Sequence, residues 1–100
     1  MSDTVTLNTT PADALACTHL GEVGAVTPSA PGCAECLATG DGWVHLRICM
    51  NCGHVGCCDS SKNRHATRHF RESGHPIIRS FQPGEGWGWC YADEAPLGLG

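Results

Sequence analysis

Cysteine and histidine supply most of the chemistry open to this chain, eight of one and six of the other in 100 residues. They fall in an ordered series. It runs Cys17-x-His19, Cys33-x-x-Cys36, Cys49-x-x-Cys52, then Cys57 or Cys58 with His65, then His69 with His75, and last Cys90-x-x-Asp93. A C-x-x-C turn can set two thiolates against one ion, each about 2.3 Å from a shared zinc. Two such turns followed by spaced histidines point to bound metal rather than to scattered thiols. Seven cysteines, four histidines and one aspartate make twelve donors, which would close three tetrahedral sites. We therefore expect two to three Zn2+ ions, and three if every donor is used. A catalytic zinc keeps one position open for water. The segment His65-Ala66-Thr67-Arg68-His69 also lacks the glutamate that follows the first histidine of a zinc protease, and no serine elbow is present. The expectation is structural metal and no catalysis.

The elements that must hold these donors are short. A hundred residues make one domain, and Leu, Ile, Val and Phe are too few for a self-sufficient core, so staples are needed. Disulfides would serve in a secreted chain. The start, Met1-Ser2-Asp3-Thr4-Val5-Thr6-Leu7-Asn8, is instead polar and without Lys or Arg, unlike a secretory signal. No run is apolar enough to span a membrane. A reducing cytoplasm is the expected compartment, where clustered Cys and His mean metal. The formal charge of −4 argues against a nucleic-acid surface. The basic stretch from Lys62 to Arg71 reads as a solvated helix face.

Residues 1–16 have no hydrophobic periodicity and read as a disordered tail, 17–94 as the domain, and 95–100 as a flexible tail. Val44, Leu46 and Ile48 alternate with Trp43, His45 and Arg47 in a half-buried strand ending at Cys49. Asp59, Ser60 or Ser61 can cap a helix that Gly74 and Pro76 stop, placing it at about 61–73. Residues 77–81 and 87–91 read as two strands joined by the turn Pro83-Gly84-Glu85-Gly86. The expected class is a small α+β zinc-stapled domain, a short antiparallel sheet packed on one main helix.

The ordered anchors also carry a resemblance. Cys17-Thr18-His19-Leu20, Cys33-x-x-Cys36, Trp43, Cys49-x-x-Cys52-Gly53-His54, Gly56-Cys57, His65-Ala66, His69, Gly74-His75-Pro76 and Trp89-Cys90-Tyr91 resemble the UBP-type zinc finger. That module is found in ubiquitin-specific proteases and a cytoplasmic histone deacetylase, and the match covers roughly 17–94. The resemblance implies that Cys33 and Cys36 share a zinc with Cys57 and His65. Cys49 and Cys52 would share another with His69 and His75, making a cross-brace. Cys17 and His19 would meet Cys90, with Asp93 where some relatives carry a second cysteine. Cys58 stays open as an alternative to Cys57, since its spacing to His65 matches other relatives. His45 and His54 are expected to serve packing and the backbone, not metal.

The resemblance further implies a protein-interaction module that takes a free C-terminal peptide tail into an aromatic slot, as relatives take the Gly-Gly end of ubiquitin. Trp43, Trp89 and Tyr91 stand where the slot walls would be, with the filling of a thin core as the alternative role for each. Relatives that bind ubiquitin carry Gly-Arg after the cysteine before the helix, and that arginine meets the carboxylate. Here the segment reads Cys57-Cys58-Asp59-Ser60-Ser61, and Asp59 would repel a carboxylate. The chain thus resembles stand-alone bacterial members, monomeric, with ordinary ubiquitin not the expected ligand. A zinc-buffering or redox-responsive domain is the alternative, because oxidised thiolates release zinc.

Overall fold

The computed structural model describes residues 4–7, 24–82 and 85–97. A short helix α1 (Ala34–Thr39) is followed by strands β1 (Leu46–Cys49) and β2 (Val55–Cys57). The main helix α2 (His65–Ser73) comes next, then β3 (Ile77–Ser80), β4 (Gly88–Cys90) and β5 (Ala95–Leu97). The strands form one antiparallel sheet in the order β2-β1-β3-β4-β5. The α+β class read from the sequence is the class observed.

Alternation along the strands divides the sheet into two faces. Leu46 and Ile48 of β1 pair with Cys57 and Val55 of β2 and join Met50, Ile77 and Leu97 in the core. Cys33, Cys36, Cys57 and Cys90 belong to that same cluster. The thiols therefore fill volume as well as offering donors, which suits a chain short of aliphatic residues. On the opposite face Cys49, Ile78 and Trp89 stand in register across three strands.

Two glycines let the backbone reach the geometry the donors need. Gly53 closes the Cys49–Cys52 turn at φ +86°, and a Cβ there would strike the Thr27 carbonyl oxygen. Its N–H donates to the Cys49 carbonyl at 2.8 Å, and the Cys49 N–H donates to that of His54 at 2.8 Å. A Cβ on Gly56 would sit 2.7 Å from the Ala66 nitrogen, so only glycine lets α2 lie directly on β2.

The structure corrects several boundaries. Helix α2 begins at His65 rather than near 61, and none of Asp59, Ser60 and Ser61 caps it. The Cys57 sulfur accepts the His65 N–H at 3.2 Å and does the capping instead. Ser61 is otherwise engaged, its hydroxyl accepting from the Val44 N–H at 2.8 Å. Val44 precedes β1 and is 55% exposed, so the strand is shorter than its alternation suggested. Helix α1 and strand β2 were not foreseen, being six and three residues long, too short to show a period. Residues 95–97 are no loose tail. Ala95 and Leu97 are buried and Pro96 exposed in β5, an edge strand, where proline's missing donor is tolerated. The described part of the expected N-terminal tail is also ordered: Val5 bridges Val26, and Leu7 is buried in the core. The rest of that segment lies outside the described residues.

Candidate metal centres and an aromatic cleft

The first cluster forms where α1, β2 and the start of α2 converge. Nδ1 of His65 lies 3.2 Å from the Cys33 sulfur, 3.4 Å from that of Cys36 and 3.6 Å from that of Cys57. The four donor atoms lie within 4.8 Å of one another, and all four residues are buried. Zinc bound at about 2.3 Å to sulfur and about 2.0 Å to nitrogen would set tetrahedral neighbours roughly 3.5 Å apart. The cluster has those dimensions. Between the two candidate cysteines, Cys57 joins it, whereas the Cys58 sulfur lies 3.6 Å from the Ser61 hydroxyl.

The second cluster is built by the turn after β1, the middle of α2 and the segment before β3. The Cys49 sulfur is 3.5 Å from His75 Nδ1, and the Cys52 sulfur 3.4 Å from His69 Nε2. Cys49 is buried, Cys52 exposed and the two histidines half-buried. His65 and His69 lie one turn apart on α2 yet serve different clusters, one through Nδ1 and the other through Nε2. Burial pushes the Cys33 thiol up to about 12 and the Cys49 thiol to about 11 in the metal-free chain. Zinc offsets that cost by neutralising the thiolates it binds. Each cluster can hold one zinc ion, and four protein donors complete its tetrahedron without a place for substrate water.

Two residues lie between the clusters: His54, expected to serve the backbone rather than metal, and Glu35, which the sequence alone did not single out. Glu35 meets His54 Nε2 at 2.5 Å, and the His54 ring stacks on His69 with centroids 4.4 Å apart. A carboxylate inside the C-x-x-C turn and a histidine after the next one were the available signal. Linking them needed the three-dimensional placement of α1.

A cleft of about 280 Å³ opens on the face of the sheet beside α2, lined among others by Arg47, Asp59, Ile78, Trp87, Trp89 and Tyr91. The Arg47 guanidinium lies 4.6 Å from the centre of the Trp87 ring, a cation–π contact. Tyr91 stacks on Phe70 of α2 at 4.9 Å, and Thr67 places its hydroxyl 3.3 Å from the tyrosine hydroxyl. Burial pushes the Tyr91 hydroxyl above its ordinary value. Thr67 also donates to the Asp59 carboxylate at 2.5 Å.

Residues 33–97 match the family described as "Zn-finger in ubiquitin-hydrolases and other protein". The chain belongs to the UBP-type zinc-finger family. Ubiquitin carboxyl-terminal hydrolase 44 of Ailuropoda melanoleuca is 30% identical over 81 residues, covering 75% of this chain and 10% of that protein. NAD-dependent deacetylase sir2A of Dictyostelium discoideum is 39% identical over 59 residues, covering 59% of this chain and 10% of that protein. This chain thus spans about a tenth of the length of the curated relatives it matches. A Rhodopseudomonas palustris protein solved by solution NMR is 61% identical, with a TM-score of 0.78 over 83% of this chain and 81% of that one. UBP-type fingers are zinc-binding interaction modules rather than catalytic domains.

Within this finger two expected groups fare differently. Trp89 and Tyr91 line the cleft, but Trp43 does not. Its ring lies over Gly32, where a Cβ would come within 2.6 Å, and packs against the core. Trp87, which the sequence reading left out, takes a wall of the cleft instead. Of the donors expected at a third site, Cys17 and His19 lie outside the described residues. The Asp93 N–H donates to the Cys90 sulfur at 3.4 Å, and an Asp93 carboxylate oxygen lies 3.8 Å from it. Among the described residues no helix is long and apolar enough to cross a membrane.

Proposed function

We propose that this finger captures the free C-terminal end of a protein chain in the cleft of Trp87, Trp89 and Tyr91, with Arg47 meeting the carboxylate. One zinc would be ligated by Cys33, Cys36, Cys57 and His65, and a second by Cys49, Cys52, His69 and His75. A third would take Cys17, His19, Cys90 and Asp93. These ions supply folding free energy; no chemistry on a substrate is assigned to them. A reducing cytoplasm, where the thiols stay available to zinc, is the compartment this reading requires.

The observation that carries the reading is the cleft itself. Its aromatic walls suit a chain without side chains, and Arg47 is the cation among its lining residues. Stacking on Trp87 fixes the guanidinium in place. Ubiquitin carboxyl-terminal hydrolase 44 is named for such a terminus. Asp59 lines the same cleft, which disfavours ordinary ubiquitin and favours a tail with a donor to offer it.

Titration with a short peptide ending in Gly-Gly, followed through the indole N–H signals of Trp87 and Trp89, tests this. The free acid should bind, and its C-terminal amide should bind about 10- to 100-fold more weakly, the cost of one charge-assisted bond. Tyr91→Ala and Arg47→Ala should each weaken the acid while leaving zinc content unchanged. Ubiquitin should gain affinity in Asp59→Arg. Equal binding of acid and amide would remove Arg47 from its role, and no binding of either would remove the tail.

A second reading rests on the exposure of Cys52, a donor open to oxidants. Zinc released by mild peroxide and recovered on reduction, with no dependence on the cleft aromatics, would favour a redox-responsive finger.

A further inference from the structure

Glu35 and His54 stand between the two clusters without belonging to either. Glu35 occupies the C-x-x-C turn of the first, one residue before Cys36. One carboxylate oxygen accepts from His54 Nε2 at 2.5 Å, and the other faces His65 Nε2 at 3.8 Å. The His54 ring lies flat on His69, 4.4 Å between centroids and 13° from parallel. Neither side chain is a bystander on the surface, since both are only partly exposed, 35% for Glu35 and 25% for His54.

The tautomers make these contacts directional. His65 turns Nδ1 toward three sulfurs, so a metal bound there leaves the ring hydrogen on Nε2, the atom that faces Glu35. His54 must likewise carry its hydrogen on Nε2 to donate to the carboxylate. A ligating imidazole whose second N–H meets a carboxylate is held in orientation and made more basic. The far end of the pair is anchored differently. The His54 carbonyl accepts the Cys49 N–H at 2.8 Å, so its backbone closes the turn that presents Cys49 and Cys52. Glu35 is therefore positioned by the first cluster and His54 by the second.

We propose that Glu35 and His54 form a bridge through which each zinc site strengthens the other, so that the two ions bind cooperatively. The inference rests on reading the clusters as zinc sites. Filling the Cys33 cluster fixes α1 and hence Glu35, which orients His54 over His69. Filling the Cys49 cluster fixes the turn bearing His54, which returns the carboxylate to His65. The coupling is reciprocal, as any linkage between two binding sites must be.

The test uses the full chain loaded with cadmium in place of zinc. Cadmium NMR distinguishes a three-sulfur, one-nitrogen site from a two-sulfur, two-nitrogen site. Competition with a chelator then gives the affinity at each cluster separately. Glu35→Gln keeps the shape and removes the charge; His54→Phe keeps the stacked ring and removes the donor. Each should lower affinity at both clusters by about tenfold or more, and the double variant should lose no more than the worse single one. If Glu35→Gln weakens only the His65 cluster, His54→Phe only the His69 cluster, and the losses add, the bridge is overturned. Should His54→Phe fail to fold, His54→Gln replaces it: losses at both clusters support the bridge, and a loss at one overturns it. A wild-type chain that takes up no metal overturns the bridge and the zinc reading together. Metal bound at independent sites overturns the bridge alone.

Discussion

The two metal clusters stand on the same helix, yet they are built for different circumstances. The Cys33 cluster has three sulfurs and one nitrogen, all from buried residues, and three of its members belong to the hydrophobic core. The Cys49 cluster has two of each, with Cys52 exposed and both histidines half-buried. One is core that also holds metal. The other is a clasp at the surface that pins the turn after β1 to α2. Similar ligand counts therefore conceal unequal structural roles, and burial rather than donor number decides which cluster the fold depends on.

Removing one donor from each is the harshest way to break that contrast. Cys36→Ala should leave the chain unfolded even with zinc present. It removes a buried core side chain together with a site of the kind that contributes on the order of 10 kcal/mol in finger peptides. Cys52→Ala removes only an exposed side chain. It should stay folded with one zinc fewer by native mass spectrometry and a thermal midpoint lowered by several degrees. A Cys52→Ala chain without near-UV circular dichroism would make the two clusters equally necessary.

Gly56→Ala should come next. The added methyl would lie 2.7 Å from the Ala66 nitrogen, where backbone and not a flexible side chain must yield. The variant should push α2 off β2 and cost about 1–3 kcal/mol, the usual range for overpacking. The Cys33 cluster, which spans that contact, should lose zinc affinity more than the Cys49 cluster. Equal losses would show that α2 moves as a rigid body and carries both clusters with it.

How much of this contrast could be read from residue order depends on what spacing encodes. The C-x-x-C turns and the i, i+4 histidines were legible because metal geometry imposes them locally. The partition of His65 and His69 between clusters came only by resemblance, since helix periodicity puts them on one face and says nothing of Nδ1 against Nε2. Helix α1 and strand β2 were hidden by their length. The start of α2 was misplaced because Asp59, Ser60 and Ser61 look like caps, while a sulfur fills that role. Nor does residue order say which of Trp43 and Trp87 borders the cleft. Both are aromatics near a strand, and only the packing of Trp43 on Gly32 tells which of them leaves the cleft. Burial, the property that separates the clusters, was the least legible of all.

Chelation should sharpen the same difference in time. With excess chelator the Cys49 cluster should surrender its ion first, because Cys52 offers a competing ligand direct access. The Cys33 cluster should follow only as the fold opens, since its donors are buried. Two phases in a colorimetric release assay, with loss of near-UV circular dichroism confined to the slower one, are expected. Loss of the near-UV signal in the faster phase would place the fold's dependence on the exposed cluster.

Acid gives the smallest and most quantitative contrast. Two opposing linkages must be kept apart. In the metal-free chain burial raises Cys33 to about 12 and Cys49 to about 11, from 9.0, and so favours the neutral thiol. The stability that this contributes is present below the ordinary thiol value and is lost as pH rises through the raised ones, a window of roughly 9 to 12. Zinc reverses the preference by demanding thiolates, so in the loaded chain protons compete with the metal and affinity falls as pH falls. The Cys33 cluster would bind zinc through three thiolates and the Cys49 cluster through two, and each of these gives up one proton to the metal. The logarithm of zinc affinity should then change by about 3 per pH unit at the Cys33 cluster and by about 2 at the Cys49 cluster. Competition titrations at several pH values, with each cluster read separately by its cadmium resonance, measure these slopes. Slopes that agree between pH 7 and 8 would mean that the two clusters exchange the same number of protons, and the difference in donor chemistry would then have to be abandoned.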